Sequence, residues 1–366
     1  MKIICTQENL KAGLSTVGRI ISSTNTLPIL NNILLKTENG TLKISSTNLE
    51  IAITTQTRCK VEEEGEITVA NKTFTELINS LPNKNLTLQA ANGELKIETE
   101  NYHTSVKTLP AEEFPLIPTV EKDKTFTIDT QELKKVINQV AFAASNNQNQ
   151  LEITGVYMNL EGEELKVVAT DRYRLAERKI KASNPKQSQA EAIVPQKAIT
   201  ELSRIIGNQK EQVEISLNEN QISISLNETQ IISRLIDGQY PDYKQIIPNN
   251  FYTTTTIPKQ ALASALKAAA IFAQSTNSVN FQFSPETQKL IITTESQELG
   301  KSEVELPSKI EGREGKVILN HHYVLDCLNN IDAENIVIKV IDDSSPSVIV
   351  QENNNEYIYL VMPIKN

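Results

Sequence analysis

Ile67-Thr68-Val69-Ala70-Asn71-Lys72, with Phe74, Leu77, Ile78 and Leu81 following at helical spacing, reads as a strand that runs straight into a short amphipathic helix. The pattern returns as Ala192-Ile193-Val194-Pro195-Gln196-Lys197 ahead of Ala198, Leu202, Ile205 and Ile206, with Pro195 suited to a helix entrance. It comes a third time as Val317-Ile318-Leu319-Asn320-His321-His322 ahead of Val324, Leu328 and Ile331. Val69, Val194 and Leu319 hold equivalent places 125 residues apart. Self-similarity at a fixed spacing predicts three copies of one structural unit.

Working outward, each copy opens with a further amphipathic helix, built on Leu10, Leu14, Val17 and Ile21, then on Leu133, Ile137 and Val140, then on Leu262, Leu266 and Ala269. Asp129 and Thr130 are N-cap candidates for the second. Alternating runs such as Leu49/Ile51/Ile53, Val213/Ile215/Leu217, Ile222/Ile224/Leu226 and Ile336/Ile338/Val340 read as half-buried antiparallel strands. Asn39-Gly40 and Asn92-Gly93 supply tight hairpin turns. Prolines cluster in corresponding places, around Leu109-Pro110, Phe114-Pro115 and Pro118 and again around Tyr240-Pro241 and Pro248. The predicted class is α+β, with three domains at 1–120, 121–246 and 247–366, each two helices packed on antiparallel sheets. The absence of long linkers suggests that one sheet continues into the next.

The 366 residues are 39% hydrophobic and 22% charged, which excludes a disordered or fibrous chain. Three cysteines, Cys5, Cys59 and Cys327, are far apart in sequence. That argues against a disulfide framework or zinc cluster and points to a reducing compartment, the cytoplasm. No stretch approaches a membrane span or a secretory segment. A net charge of -9 argues against a protein whose whole surface binds nucleic acid and leaves room for a local basic surface.

Candidates for catalysis are few. Adjacent His321 and His322 cannot grip one metal as an i, i+4 pair can, and read as solvated residues at a helix start. No Gly-rich phosphate loop or nucleophile elbow occurs. Thr170-Asp171-Arg172-Tyr173-Arg174-Leu175 reads first as a turn with paired charges, and only second as catalytic machinery. The helices say more. They carry nine basic residues, Lys11, Arg19, Lys72, Lys134, Lys135, Lys197, Arg204, Lys259 and Lys267, against five acidic ones, Glu8, Glu76, Glu132, Glu201 and Asp326. Lys197, Thr200, Glu201 and Arg204 share one face. Such a layer could be plain solvated helix, or a mildly basic surface that touches phosphates without reading bases.

The sequence resembles the bacterial DNA polymerase III beta subunits, the sliding clamps, along essentially its whole length. The resemblance rests on Thr26-Leu27-Pro28-Ile29-Leu30-Asn31-Asn32, on Val168-Ala169-Thr170-Asp171 with Arg174-Leu175-Ala176, on Asp237-Gly238-Gln239-Tyr240-Pro241-Asp242-Tyr243, on Asn320 with Tyr323-Val324-Leu325-Asp326, and on Val361-Met362-Pro363-Ile364. It implies three repeated clamp domains forming half of a closed ring. Two copies would join head to tail around double-stranded DNA without sequence preference, with helices lining the hole and no catalysis, cofactor or metal. The joint would set Ile271 and Phe272 of one copy against Thr104 and Val106 of the other.

The resemblance also implies a pocket for short peptides of the polymerase III alpha subunit, the clamp loader and other proteins with a clamp-binding motif. Its walls would be Ile153, Thr170, Arg172, Tyr173, Arg174, Leu175, Pro241, Ile246, Asn320, Tyr323, Ser345, Ser347, Leu360, Val361, Met362, Pro363 and Ile364. The apolar residues suit a hydrophobic peptide anchor, and Arg174 suits a carbonyl or carboxylate. About half of these positions are expected to be ordinary core. DNA-facing positions would be Lys11, Arg19, Asn25, Lys72, Lys134, Lys135, Asn147, Gln150, Lys197, Arg204 and Lys267. The chain departs from the family pattern at Arg172-Tyr173, where Gly-His or Ser-His is common, and at Lys365-Asn366, where arginine-leucine is common. It also departs at Asn25, Asn147 and Gln150, where weaker DNA contacts are expected.

Overall fold

A computed structural model describes residues 1–21, 27–185, 189–273 and 276–365. The chain divides into two compact units. Unit 1 comprises Met1–Gln131, Ser183–Gln187 and Lys197–Leu235, and unit 2 comprises Glu132–Ala182, Ser188–Gln196 and Ile236–Asn366. Among the described residues there are six α-helices: α1 (Gln7–Val17), α2 (Asn71–Ser80), α3 (Thr130–Val140), α4 (Gln196–Ile206), α5 (Lys259–Ala270) and α6 (His321–Asn330).

Unit 1 is built on a 13-stranded antiparallel sheet. Its order is Lys124–Asp129, Gln212–Leu217, Gln221–Leu226, Thr229–Arg234, Ile51–Arg58, Thr41–Thr47, Asn32–Glu38, Glu66–Ala70, Tyr102–Leu109, Glu94–Thr99, Asn85–Ala91, Lys2–Thr6 and Lys60–Glu63. The sheet passes from the first repeat to the second where Ile53 stands opposite Ile231. Burial alternates along the strands, placing Ile33, Leu35, Leu42, Ile44, Leu86 and Leu88 inside. Against this core α1 buries Leu10, Leu14 and Val17, while α2 buries Phe74 and Ile78. Gly13 lets α1 approach closely, since a Cβ there would fall 2.7 Å from Thr57 Oγ1 and 2.8 Å from Ile44 Cδ1.

Unit 2 holds a 9-stranded sheet and a 4-stranded sheet. The larger runs Gln189–Pro195, Gly155–Glu161, Glu164–Thr170, Arg174–Lys181, Asn354–Val361, Ser347–Gln351, Asn335–Val340, Thr253–Pro258 and Lys309–Gly312. The smaller runs Gly300–Pro307, Lys289–Ser296, Ser278–Ser284 and Gly315–Asn320, and carries α5. The second repeat joins the third where Leu175 stands opposite Leu360.

Strand-to-helix passages occur at Ala70–Asn71, Pro195–Gln196 and Asn320–His321, as the repeat predicts. The expectation that each copy opens on a helix is corrected, because a strand precedes it each time: Lys2–Thr6, Lys124–Asp129 and Thr253–Pro258. These strands are short and flow directly into the helices, the first two of which are capped by side chains. Thr6 Oγ1 accepts from Asn9 N–H at 3.2 Å, and Asp129 Oδ1 accepts from Gln131 N–H at 2.9 Å. Two further readings shift. Ile21 lies past the end of α1, after a 3₁₀ turn over Gly18–Ile20, and Leu49 is not a strand residue but an exposed turn residue with φ +74°. Asn39-Gly40 and Asn92-Gly93 do form hairpin turns, all four residues having positive φ.

Candidate partner-binding site

The expected pocket residues all fall in unit 2 and are organised by two strand ends. Arg174–Lys181 lies against Asn354–Val361 with Arg174 opposite Val361, and Ser347 stands opposite Val361 on the next strand. Beyond the strand, Met362 N–H donates to Tyr173 O at 2.8 Å and Ile364 N–H to Ile318 O at 2.9 Å. This brings the C-terminal tail beside the strand that leads to Asn320 and Tyr323. Asn320 Oδ1 caps α6 through His322 N–H at 2.9 Å, and Tyr359 O–H donates to Tyr323 O at 2.9 Å, fastening the helix to the sheet.

The floor is closed core. Ile153, Leu175 and Leu360 belong to one cluster with Val168, Ile193, Tyr240, Tyr243, Val348 and Val350, and Met362 packs against it half-buried. Tyr240 stacks on Tyr157 at 4.8 Å, and Tyr243 O–H donates to Glu177 Oε2 at 2.6 Å. Burial pushes both the Tyr240 and Tyr243 hydroxyls above the usual phenol range. Thr170, Ser347 and Val361 are buried as well. What faces solvent is a rim: Arg172, Tyr173 (63% exposed), Pro241 and Ile246 (43% exposed), with Arg174, Asn320, Tyr323, Ser345, Pro363 and Ile364 half-buried.

The turn under this rim has a particular geometry. Asp171 Oδ1 accepts from the N–H groups of Tyr173 and Arg174, both at 3.0 Å, while Thr170 Oγ1 accepts from Arg172 N–H at 3.1 Å and donates to Arg174 O at 2.7 Å. Arg172 is thereby held at φ +78°, a conformation few non-glycine residues adopt. Unit 1 contains the same turn at Thr47–Ile51. Asn48 Oδ1 accepts from Glu50 and Ile51 N–H, Thr47 Oγ1 accepts from Leu49 N–H, and Arg234 N–H donates to Glu50 O as Met362 does to Tyr173. The repeat therefore extends to hydrogen bonds that the two sequences, Thr-Asn-Leu-Glu-Ile and Thr-Asp-Arg-Tyr-Arg, hardly advertise.

Arg174 is not left open for a ligand. Its Nε donates to Asp171 Oδ2 at 2.9 Å, Nη1 to Asp326 Oδ2 at 2.5 Å and Nη2 to Phe142 O at 3.0 Å, and its plane sits 4.6 Å from the Tyr323 ring. Burial opposes its charge, but Tyr359, Asp326 and Asp171 together hold the guanidinium more firmly protonated than usual. Asp171, Asp326 and Phe142 are thus part of the site and were absent from the expected wall. Asp171 and Asp326 stood in the segments that carry the family resemblance, but Phe142 carried no sequence signal.

The basic residues are placed as follows. Lys11, Arg19, Lys72, Lys197 and Arg204 are exposed in unit 1, Lys267 is exposed in unit 2, and Lys134 and Lys135 are half-buried there. Asn147 is exposed and Gln150 half-buried in the loop before Ile153, and Asn25 lies outside the described residues. Glu201 and Arg204 do share a face of α4, but Glu201 is buried and accepts from Arg204 Nη1 at 2.5 Å, so part of the Arg204 charge is neutralised. The solvated reading of the histidines also fails for His321, which is buried with Nδ1 3.0 Å from Asn277 O. Of the expected joint residues, Ile271 is exposed and Phe272 half-buried in unit 2, whereas in unit 1 Thr104 is half-buried and Val106 buried.

Three family models, for the N-terminal, central and C-terminal domains of the DNA polymerase III beta subunit, match residues 1–118, 127–242 and 244–365. The chain belongs to the DNA polymerase III beta subunit family. It is 29% identical to the beta sliding clamp of Synechocystis, covering all of this chain and 99% of that one. The crystal structure of the DNA polymerase sliding clamp from Bacillus subtilis superposes with a TM-score of 0.96 at 27% identity, covering 100% of this chain and 99% of that one. A Pseudomonas aeruginosa sliding clamp bound to griselimycin gives 0.96 at 28% identity, with both chains fully covered. As a beta subunit, the chain is a non-catalytic processivity factor of DNA replication, built from antiparallel-sheet domains with few helices.

Proposed function

We propose that two copies of the chain close head to tail into a ring around duplex DNA, each contributing domains 1–120, 121–246 and 247–366. Exposed Lys11, Arg19, Lys72, Lys197 and Lys267 touch phosphates, joined by Lys134, Lys135 and Arg204, with Asn25, Asn147 and Gln150 weaker. Enclosure rather than affinity retains the acidic chain on DNA. The observation that carries the ring is an unpaired strand edge. Tyr102–Leu109 pairs along its length with Glu94–Thr99, but on its other side only Thr108 and Leu109 pair. Thr104 and Val106 therefore lie on an edge open to a second copy, whose Gly300–Pro307 strand ends the 4-stranded sheet beside α5 and Ile271.

The rim of Tyr173, Ile246 and Met362 over a closed apolar floor takes the hydrophobic anchor of a partner peptide from the polymerase alpha subunit, the clamp loader or another protein with the same motif. The chain works in the cytoplasm without a membrane partner; no helix among the described residues is long and apolar enough to cross a bilayer. Loading onto nicked circular DNA with the loader and ATP tests the whole reading. Retention on circles in high salt, with release after linearisation, is expected. Failure to be retained while the same loader places another clamp would overturn it.

A further inference from the structure

Two of the three cysteines, Cys5 and Cys59, belong to neighbouring parts of the unit 1 sheet. Strand Lys60–Glu63 runs antiparallel to Lys2–Thr6 with Ile3 opposite Val61 and Ile4 opposite Lys60. Continued one step beyond the paired residues, the same register would bring Cys5 opposite Cys59. Directly opposed residues on antiparallel strands hold their Cβ atoms about 4.5–5.5 Å apart, within a small adjustment of the roughly 3.5–4.5 Å that a disulfide spans. The adjustment is available. Lys60–Glu63 is the outermost strand of its sheet, and Cys59 lies just before it, between Ile51–Arg58 and Lys60–Glu63 and in neither. Burial first, and Cys59 second, push the Cys5 thiol up to about 12.

We propose that Cys5 and Cys59 form a cross-strand disulfide when the protein meets a low-molecular-weight disulfide oxidant such as oxidised glutathione. Cys59 is half-buried and reachable, so its thiolate attacks one glutathione sulfur, forming a mixed disulfide and releasing one glutathione thiol. The Cys5 thiolate then attacks the Cys59 sulfur and expels the second glutathione. In sum, two protein thiols are oxidised to one disulfide and one oxidised glutathione is reduced to two thiols. The bond closes a covalent loop over α1, which carries Lys11, and over the turn that carries Arg19. Cys327 is fully buried in unit 2 and takes no part. Burial raises the Cys59 thiol too, which lowers its thiolate fraction and slows the reaction at neutral pH.

The test uses the full chain, incubated with oxidised glutathione at about pH 8.5, near the ordinary thiol pKa, then blocked with N-ethylmaleimide and digested without reductant. The expected product is one peptide pair joining Cys5 to Cys59, with a chain mass lower by two hydrogens and a higher melting temperature that falls back on reduction. Cys327→Ser should keep the cross-link, and Cys59→Ser and Cys5→Ala should each abolish it. Three free thiols after exposure, a lasting glutathione adduct on Cys59 alone, a bond to Cys327 or a bond between chains would each overturn the proposal. Cys59→Ser guards against misfolding of the buried-site variant, because it changes the more exposed partner.

Discussion

Arg174 and Asp326, 152 residues apart in the chain, meet at 2.5 Å and tie the first residue of strand Arg174–Lys181 to the middle of α6. Asp171 and the Phe142 carbonyl fix the rest of the guanidinium. The arginine thus positions Tyr323 and the strand ends that make the rim, instead of waiting as a free ligand for a peptide carboxylate. A double-mutant cycle on Arg174→Ala and Asp326→Ala should give a coupling of about 1–2 kcal/mol, at the lower end because Asp326 is half-exposed. Urea melts of the four proteins measure it, and additive losses would break the link.

Floor and rim should separate under mutation. Leu360→Ala removes a side chain 1% exposed from the cluster beneath the site and should cost about 2–5 kcal/mol of stability. Met362→Ala, at the half-buried edge, should cost far less stability yet weaken a fluorescent partner peptide about tenfold or more. Equal peptide affinity for Met362→Ala and the native chain would move the anchor elsewhere.

Arg172 occupies φ +78°, where a Cβ is strained. Replacing it by glycine should stabilise the turn by roughly 0.5–1 kcal/mol, read as a higher melting temperature, despite the glycine's greater freedom when unfolded. A lower melting temperature would mean that the Arg172 side chain makes compensating contacts.

Ile271 is 58% exposed, an apolar residue at the end of α5. Ile271→Asp should leave the melting of the protomer nearly unchanged and shift sedimentation from dimer to monomer, because the charge is buried without a partner only in the joint. An intact dimer would place the joint on other residues.

His321 has its basicity lowered, first by burial and then by His322 beside it, with the hydrogen bond to Asn277 O working the other way. The unfolded chain therefore takes up this proton more readily than the folded one. Stability contributed here is complete above the ordinary histidine pKa of about 6.5 and falls as pH drops from there towards the lower folded pKa. A proton NMR titration should show His321 with a midpoint below the ordinary histidine value of about 6.5, and His321→Gln should flatten this part of the stability profile. A His321 midpoint at or above about 6.5 would contradict the assignment.

Repetition was legible in the chain because hydrophobic spacing is local: Phe74 to Leu81 or Leu202 to Ile206 mark a helix face wherever they occur. The three strand-to-helix passages and the hairpin turns at Asn39-Gly40 and Asn92-Gly93 were readable from such local signals. The short opening strands were not, since Lys2–Thr6 carries too few alternations to outweigh the helix that follows it.

Side-chain partnerships belong to another order of information. Nothing in the sequence around Arg174 names Asp326 or Phe142, nothing around Glu201 says that it is buried under Arg204, and nothing about Cys5 points to Cys59. The contacts of Arg174 with Asp326 and Phe142, and the approach of Cys5 to Cys59, depend on which elements pack together and in what register, whereas Glu201 and Arg204 meet within one helix, three residues apart. Composition and periodicity by themselves determined the class of fold and the threefold repeat, because those follow from where apolar surface must be hidden. Tertiary structure alone decided which polar groups meet, because hydrogen bonds and thiols act over a few ångströms that only the packed sheets bring about.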